Sequence, residues 1–118
     1  MSVKTKRRKV VLDTNVISEV MRPYPSRAVV AWLNQQPGTN LFITQGFEYR
    51  ILNFDIAAAR TYSEIMGHKK EIGCPMSFLD GQIAAITLTN NFILATRNIK
   101  DFNHCGLDLI NPFDQASL

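Results

Sequence analysis

Three short runs of consecutive apolar residues alternate with longer segments in which apolar residues recur every third or fourth position. The runs are Val10–Leu12, Leu41–Ile43 and Phe92–Ala95. Continuous apolar runs are typical of strands covered on both faces, as in a parallel sheet, and the intervening spacing is that of amphipathic helices. The 118 residues are enough for one core. The alternation therefore predicts one α/β domain with a mostly parallel sheet.

Capping residues and chain breakers give the approximate limits of the helices. Ser, Thr, Asp and Asn favour the position just before a helix, because their side chains accept a hydrogen bond from its first free N–H groups. The predicted caps are Asn15, Ser26, Asp55 and Ser77, and a last short strand is predicted at residues 107–110.

Polar side chains stand directly after the predicted strands. Asp13 and Asn15 follow the first, and Thr96 and Asn98 follow the strand at 92–95. In an open parallel sheet the ligand site lies beyond the carboxyl ends of the strands. With Asp80 at the start of a helix and Asp101 soon after Asn98, three carboxylates can meet at that edge. Such a group favours a hard, oxygen-binding cation such as Mg²⁺ or Mn²⁺. The alternative is that Asp13, Asp80 and Asp101 are only caps or turn residues.

The positive charge of the chain is concentrated at its N-terminus. The net charge is +3, yet five of the 13 basic residues precede residue 10, and the remainder of the chain carries −2. A basic tail at residues 1–8 is predicted to contact the phosphates of RNA or DNA, and its alternative is a solvated terminus. The contacts would come from Lys6, Arg7, Arg8 and Lys9.

The composition excludes several classes of protein. No apolar run approaches the roughly 18 residues that a membrane helix needs, so no membrane partner is expected. The apolar stretch after the basic start is too short for a signal peptide. A cytoplasmic protein is the resulting expectation.

Four motifs, in order along the chain, resemble the PIN-domain family. They are LDTNVISE at 12–19, LDGQIAAI at 79–86, ILATRNIKDF at 93–102 and LINPF at 109–113. The nearest group is that of the VapC-type toxin ribonucleases of type II toxin–antitoxin pairs, which include plasmid-stability proteins. The resemblance implies a three-layer α/β/α domain over residues 9–118. It also implies a Mg²⁺- or Mn²⁺-dependent ribonuclease, RNA as substrate and a small VapB-like antitoxin as partner, and it leaves a homodimer open.

The resemblance also assigns roles to individual residues. Asp13 matches the first metal-binding acid of the family, Asp80 a second and Asp101 the last. Asn15, Thr96 and Asn98 match polar residues that support the acids at the same edge.

One segment departs from the family pattern. The family has a Glu soon after its second strand, at the start of one of two helices. Here the likeness lapses after residue 44 and resumes near 46, so those helices, which would fall between about 45 and 47, are absent. Gln45 is neutral, and Glu48 lies in the resumed segment. An internally deleted toxin is the interpretation, and the alternative function is a catalytically impaired remnant that only binds antitoxin or RNA. The acid patterns of other α/β phosphotransfer enzymes are not found around Asp13.

Overall fold

A four-stranded parallel sheet forms the centre of the fold. The structure, a computed structural model, describes residues 9–37, 41–43 and 52–114. The strand order is β2-β1-β3-β4, and each neighbouring pair is parallel. All four strands therefore end at the same edge, and the predicted α/β class with a parallel sheet is confirmed. The strands are β1 (Val10–Leu12), β2 (Leu41–Phe42), β3 (Ile93–Ala95) and β4 (Asp108–Ile110).

Helices cover both faces of this sheet, because successive residues of each strand point to opposite sides. Val11 and Leu94 pack with the helices of one face, and Val10 and Ile93 pack with those of the other. The result is the predicted three-layer α/β/α arrangement. The helices are α1 (Thr14–Val20) and α2 (Arg27–Asn34) on one face, and α3 (Ile56–Glu71) and α4 (Phe78–Thr89) on the other, with the short α5 (Ile99–Phe102) before β4.

Three of the four predicted helix caps are confirmed. Ser26, Asp55 and Ser77 each accept a hydrogen bond from a backbone N–H in the first turn of the following helix. The prediction for Asn15 was wrong, because α1 begins at Thr14 and its cap is Asp13. The Asn15 amide is instead drawn to residues more than 80 positions away, a contact that local sequence does not show.

Some predictions fall on residues outside the described ranges. These include the basic tail at 1–8, the end of the second predicted strand at Thr44, and the segment around Gln45 and Glu48. The residue limits of the domain and the place of the missing family helices remain predictions.

A glycine sets the close approach of α3 to α4. A Cβ atom at Gly81 would lie 2.5 Å from the Met66 sulfur and 2.9 Å from a ring carbon of Tyr62. Gly81 directly follows Asp80, so the same contact fixes how the first turn of α4 sits against its neighbour.

Gly81→Ala is expected to destabilise the fold by about 1–3 kcal/mol, because overpacking forces neighbouring side chains to move. The matched control is Gly67→Ala on α3, where a Cβ would meet no atom within 4 Å. That control should stabilise the chain by roughly 0.5–1 kcal/mol, since Ala is the better helix former. Thermal denaturation of the two variants checks the pair. Equal effects in both would show that helix propensity, and not the contact with Tyr62 and Met66, governs position 81.

Candidate metal centre at the carboxyl edge of the sheet

Asp13 stands at the end of β1 and is only 4% exposed. Its backbone N–H donates to the carbonyl of Ala95, the last bond that ties β1 to β3. One carboxylate oxygen, Oδ1, accepts from the Thr14 N–H at 2.8 Å and so caps α1. The cap and metal interpretations of Asp13 therefore do not exclude each other, because a carboxylate has about four acceptor sites.

Thr96 holds the other oxygen of Asp13 in place. The Thr96 hydroxyl, which is fully buried, donates to Asp13 Oδ2 at 2.8 Å. Asn15 Nδ2 also donates to Asp13 Oδ2, at 3.1 Å, and Asn15 Oδ1 accepts from the Arg97 N–H. Asn98 joins through its backbone N–H, which donates to Thr96 Oγ1 at 3.0 Å, while its side chain is exposed. The three predicted supporting residues thus meet around Asp13, two through side chains and one through backbone.

Asp80 and Asp101 come to the same region from two different helices. Asp80 lies in the first turn of α4, where its N–H donates to the cap Ser77, and Asp101 lies on α5. Burial is the largest cause that raises the pKa of the Asp80 carboxyl above its usual range. The negative charges of Asp13 and Asp101 raise it further, and a separate hydrogen-bonding interaction between Ser77 and the carboxyl of Asp80 lowers it. The Asp80 carboxyl is therefore close enough to Asp13 and Asp101 for their charges to affect its pKa.

A cavity of about 230 Å³ opens beside these acids. Asp80 and Asp101 line it, and so do Lys69 and Lys100, which bring two positive charges to its wall. Its volume is that of a site for a hydrated ion or a single phosphate group, not of a large organic cofactor.

The chemistry of the donors fits a hard cation. Burial and the negative charges of Asp13 and Asp101 raise the pKa of Asp80, and carboxylates that repel one another in this way are stabilised by a cation between them. The three carboxylates are less closely grouped than the ligands of a closed metal site. Within residues 9–37, 41–43 and 52–114, no group of three or more His, Cys, Asp or Glu side chains is arranged to enclose a metal ion. The residues present thus match a divalent cation in charge and in ligand type, with fewer ligands drawn together than a closed site needs.

Of the four basic residues predicted to contact RNA, Lys9 lies within the described part of the chain. Lys9 precedes β1, at the opposite end of the strand from Asp13, and its ammonium lies over the rings of Phe42 and Phe92 at 5.5 and 5.8 Å. Lys6, Arg7 and Arg8 lie outside the described ranges. Their contact with RNA stays a prediction.

The sequence alone did not single out Lys69, which the structure places in the cavity wall. It occurs in the run His68-Lys69-Lys70, which is typical of a solvated helix end. The available signal was its position four residues after the buried Ile65, on the same face of α3.

Comparison with known proteins identifies the family. No protein-family model matches the chain. The chain is 32% identical to the VapC ribonuclease Y4jK of Sinorhizobium fredii, over 91% of this chain and 99% of that protein. It is 29% identical to the toxin FitB of Neisseria gonorrhoeae, over 88% and 98% respectively. The first alignment extends over 139 residues, more than the 118 of this chain, so the relative has residues with no counterpart here.

A solved structure gives the same result. FitAcB from Neisseria gonorrhoeae superposes with a TM-score of 0.81 at 27% sequence identity, and the match covers 89% of this chain and 99% of that one. Sequence and fold therefore agree over nearly the whole chain. The chain belongs to the family of VapC-type PIN-domain toxins.

Proposed function

We propose that this chain is a Mg²⁺- or Mn²⁺-dependent endoribonuclease and the toxin of a VapBC-type toxin–antitoxin pair. The observation that carries the proposal is the shared electrostatic environment of Asp13, Asp80 and Asp101, three acids that separate elements bring to the carboxyl edge of a parallel sheet. The similarity to a VapC ribonuclease supports RNA as the substrate.

Three acids would bind the ion, and two polar residues orient one of these acids. Asp13, Asp80 and Asp101 would hold the cation, which when bound activates water and stabilises charge on the scissile phosphate. Thr96 and Asn15 fix the orientation of the Asp13 carboxylate through hydrogen bonds to Oδ2. The raised pKa of Asp80 means that this carboxyl needs a higher pH than an ordinary aspartate before it is fully charged. No side chain is assigned as a separate general base.

A direct assay tests the proposal. The purified chain is incubated with a labelled RNA in Mg²⁺, in Mn²⁺ and with a chelator, and the same is done for Asp101→Asn and for the control Glu64→Gln. Glu64 is exposed on α3, so its replacement removes an equal charge away from the site. Cleavage should require metal and should fall by at least about 10-fold in Asp101→Asn but not in the control. Cleavage that survives the chelator, or that both variants reduce equally, would contradict a metal-dependent site at Asp101.

A second candidate function is a remnant that binds antitoxin or RNA without cleaving it. The loose spacing of the acids in the described residues favours it, and so does the absence of the family Glu from the chain. Metal-independent RNA or antitoxin binding by a folded chain that shows no cleavage in any metal would support this second candidate.

An exposed apolar surface supports a protein partner. Ile56 and Phe78, at the starts of α3 and α4, are 78% and 75% exposed, and Phe54 and Leu79 lie beside a cavity of about 180 Å³. Apolar surface of this kind is typical of interaction sites. We assign it to a VapB-like antitoxin, and a second copy of the chain is the alternative. Elution of the chain as a monomer that shifts on addition of the antitoxin would distinguish the two.

The proposed location is the cytoplasm, where RNA is available. None of the helices in the described part of the chain has the length and apolar content that a membrane crossing needs.

A further inference from the structure

Lys69 is a charged side chain buried at the wall of the acidic cavity. It is 3% exposed, in the last turn of α3, while its neighbour Lys70 is exposed. The Lys69 ammonium donates to the backbone carbonyl of Asn103 at 2.9 Å. An ammonium has three N–H donors, so one carbonyl satisfies only part of its capacity.

No acid neutralises this charge within the part of the chain that the structure describes. The ion pair found there joins Arg22 to Glu19, far from the cavity along the chain. Lys69, Asp80 and Asp101 line one cavity, and within the described residues no ion pair joins this lysine to either aspartate.

A buried cation without a carboxylate partner costs free energy, because loss of hydration is not repaid by a neighbouring charge. Such a lysine contributes little to the stability of the fold, but it is well suited to bind an anion. The cavity next to Lys69 can admit a phosphate, and it also contains Lys100. Asp80 and Asp101, two of the acids that would bind the cation, line the same cavity. A metal-bound phosphodiester needs this combination of charges, with negative groups toward the ion and positive groups toward the phosphate oxygens.

We propose that Lys69 is a substrate-positioning residue whose ammonium binds a non-bridging oxygen of an RNA backbone phosphate in the cavity lined by Asp80 and Asp101. This inference rests on the proposed function, for which it supplies the phosphate-binding side of the site. Its contact with Asn103 then holds the ammonium in place and links α3 to the turn after α5.

The test measures RNA binding without cleavage. A fluorescent single-stranded RNA is titrated with native chain, Lys69→Met and the matched control Lys70→Met, in chelator and at several salt concentrations. Met keeps the length and apolar stem of lysine and removes the charge. Lys69→Met should weaken binding roughly tenfold, the value of one charge-assisted hydrogen bond. It should also reduce the salt slope by about 0.7, while Lys70→Met changes both less. An RNA with an uncharged methylphosphonate backbone should not distinguish the variants, and inorganic phosphate should compete with the charged RNA.

The inference is overturned if a folded Lys69→Met chain binds RNA as tightly as the native chain does. It is also overturned if Lys69→Met and Lys70→Met weaken RNA binding equally. If Lys69→Met does not fold, the native chain decides through the Lys69 side-chain NMR signal, assigned with Lys69→Arg. A saturable shift of that signal with a phosphorylated dinucleotide supports the inference, and no shift overturns it.

Failure of this inference is distinguishable from failure of the proposed function. If the native chain cleaves RNA and Lys69→Met keeps the same kcat and KM, the ribonuclease proposal stands and the role of Lys69 falls. If binding depends on Lys69 and no metal gives cleavage, the role in phosphate binding stands and the ribonuclease proposal falls.

Discussion

Replacing Asp80 with Asn is expected to lower RNA cleavage measured in excess Mn²⁺ by about 100-fold or more while raising the melting temperature at neutral pH. Changes to residues that only support a metal ligand already cost up to about 100-fold, so loss of a ligand should cost at least as much. Asn has nearly the same volume as Asp, so the packing around this position should persist. Opposite effects on activity and stability are expected where a site gathers like charges for function.

The stability effect follows from the raised pKa of Asp80, caused by burial and by the charges of Asp13 and Asp101. A carboxyl with a higher pKa in the folded chain binds its proton more tightly when folded, so protonation stabilises the fold. This contribution is fully present below the pKa in the unfolded chain and is lost as the pH rises through the raised pKa. At neutral pH the charged Asp80 therefore destabilises the native chain relative to Asn, and in acid the two chains should converge.

The measurement is the difference in melting temperature between Asp80→Asn and native chain at neutral and at acidic pH, with cation titration by calorimetry beside it. The control is Glu71→Gln, which removes one exposed negative charge at the end of α3. A variant that loses both stability and activity would show that Asp80 is chiefly structural. Unchanged cation affinity would remove it from the proposed ligand set.

The fold could be predicted from sequence because its signals are local. Apolar runs, caps such as Asp55 and Ser77, and the spacing of α3 and α4 all lie within one or two turns of chain. The roles of Thr96 and Asn15 around Asp13 could be anticipated only by resemblance, since the contacts that join them span more than 80 residues. The spacing from Ile65 indicates that Lys69 lies on the buried face of α3, but nothing nearby in sequence shows that the turn after α5 contacts its ammonium.

Asp13 shows why a local interpretation can be correct and incomplete. The sequence left open whether it is a cap or a metal ligand, and the structure shows the cap directly. The same carboxylate also accepts from Thr96 and Asn15, two contacts that a cap does not need. A hydrogen-bonding shell that orients a carboxylate is a common property of metal-binding acids. It is also the reason that Asp13→Asn would be a poorer test than Asp80→Asn, since an amide cannot accept all of these bonds.

The predicted loss of the family Glu should limit the catalytic activity of this chain. With one charged ligand fewer, a bound cation is less neutralised by protein and less firmly positioned. Displacement chemistry is sensitive to placement, and an error of about 1 Å can cost roughly 100-fold. Mg²⁺ also demands nearly ideal octahedral geometry. We therefore expect slow or undetectable RNA cleavage at physiological Mg²⁺, with partial recovery in excess Mn²⁺.

Restoring the missing segment should recover roughly 100-fold in cleavage rate, much more than Mn²⁺ alone, because it returns both the ligand and the helices that position it. The unmatched residues of the Sinorhizobium relative are inserted after residue 44, where the sequence predicts that the likeness to the family lapses. Two controls separate the causes: the same graft with its Glu changed to Gln keeps the helices without the charge, and the graft with Asp80→Asn removes a resident ligand. Both should remain close to the unaltered chain. Full cleavage by the unaltered chain at low Mg²⁺ would show that the gap does not matter. A folded graft that binds cation and leaves RNA intact would count against the ribonuclease proposal itself, because every acid of the family site would then be present without the activity.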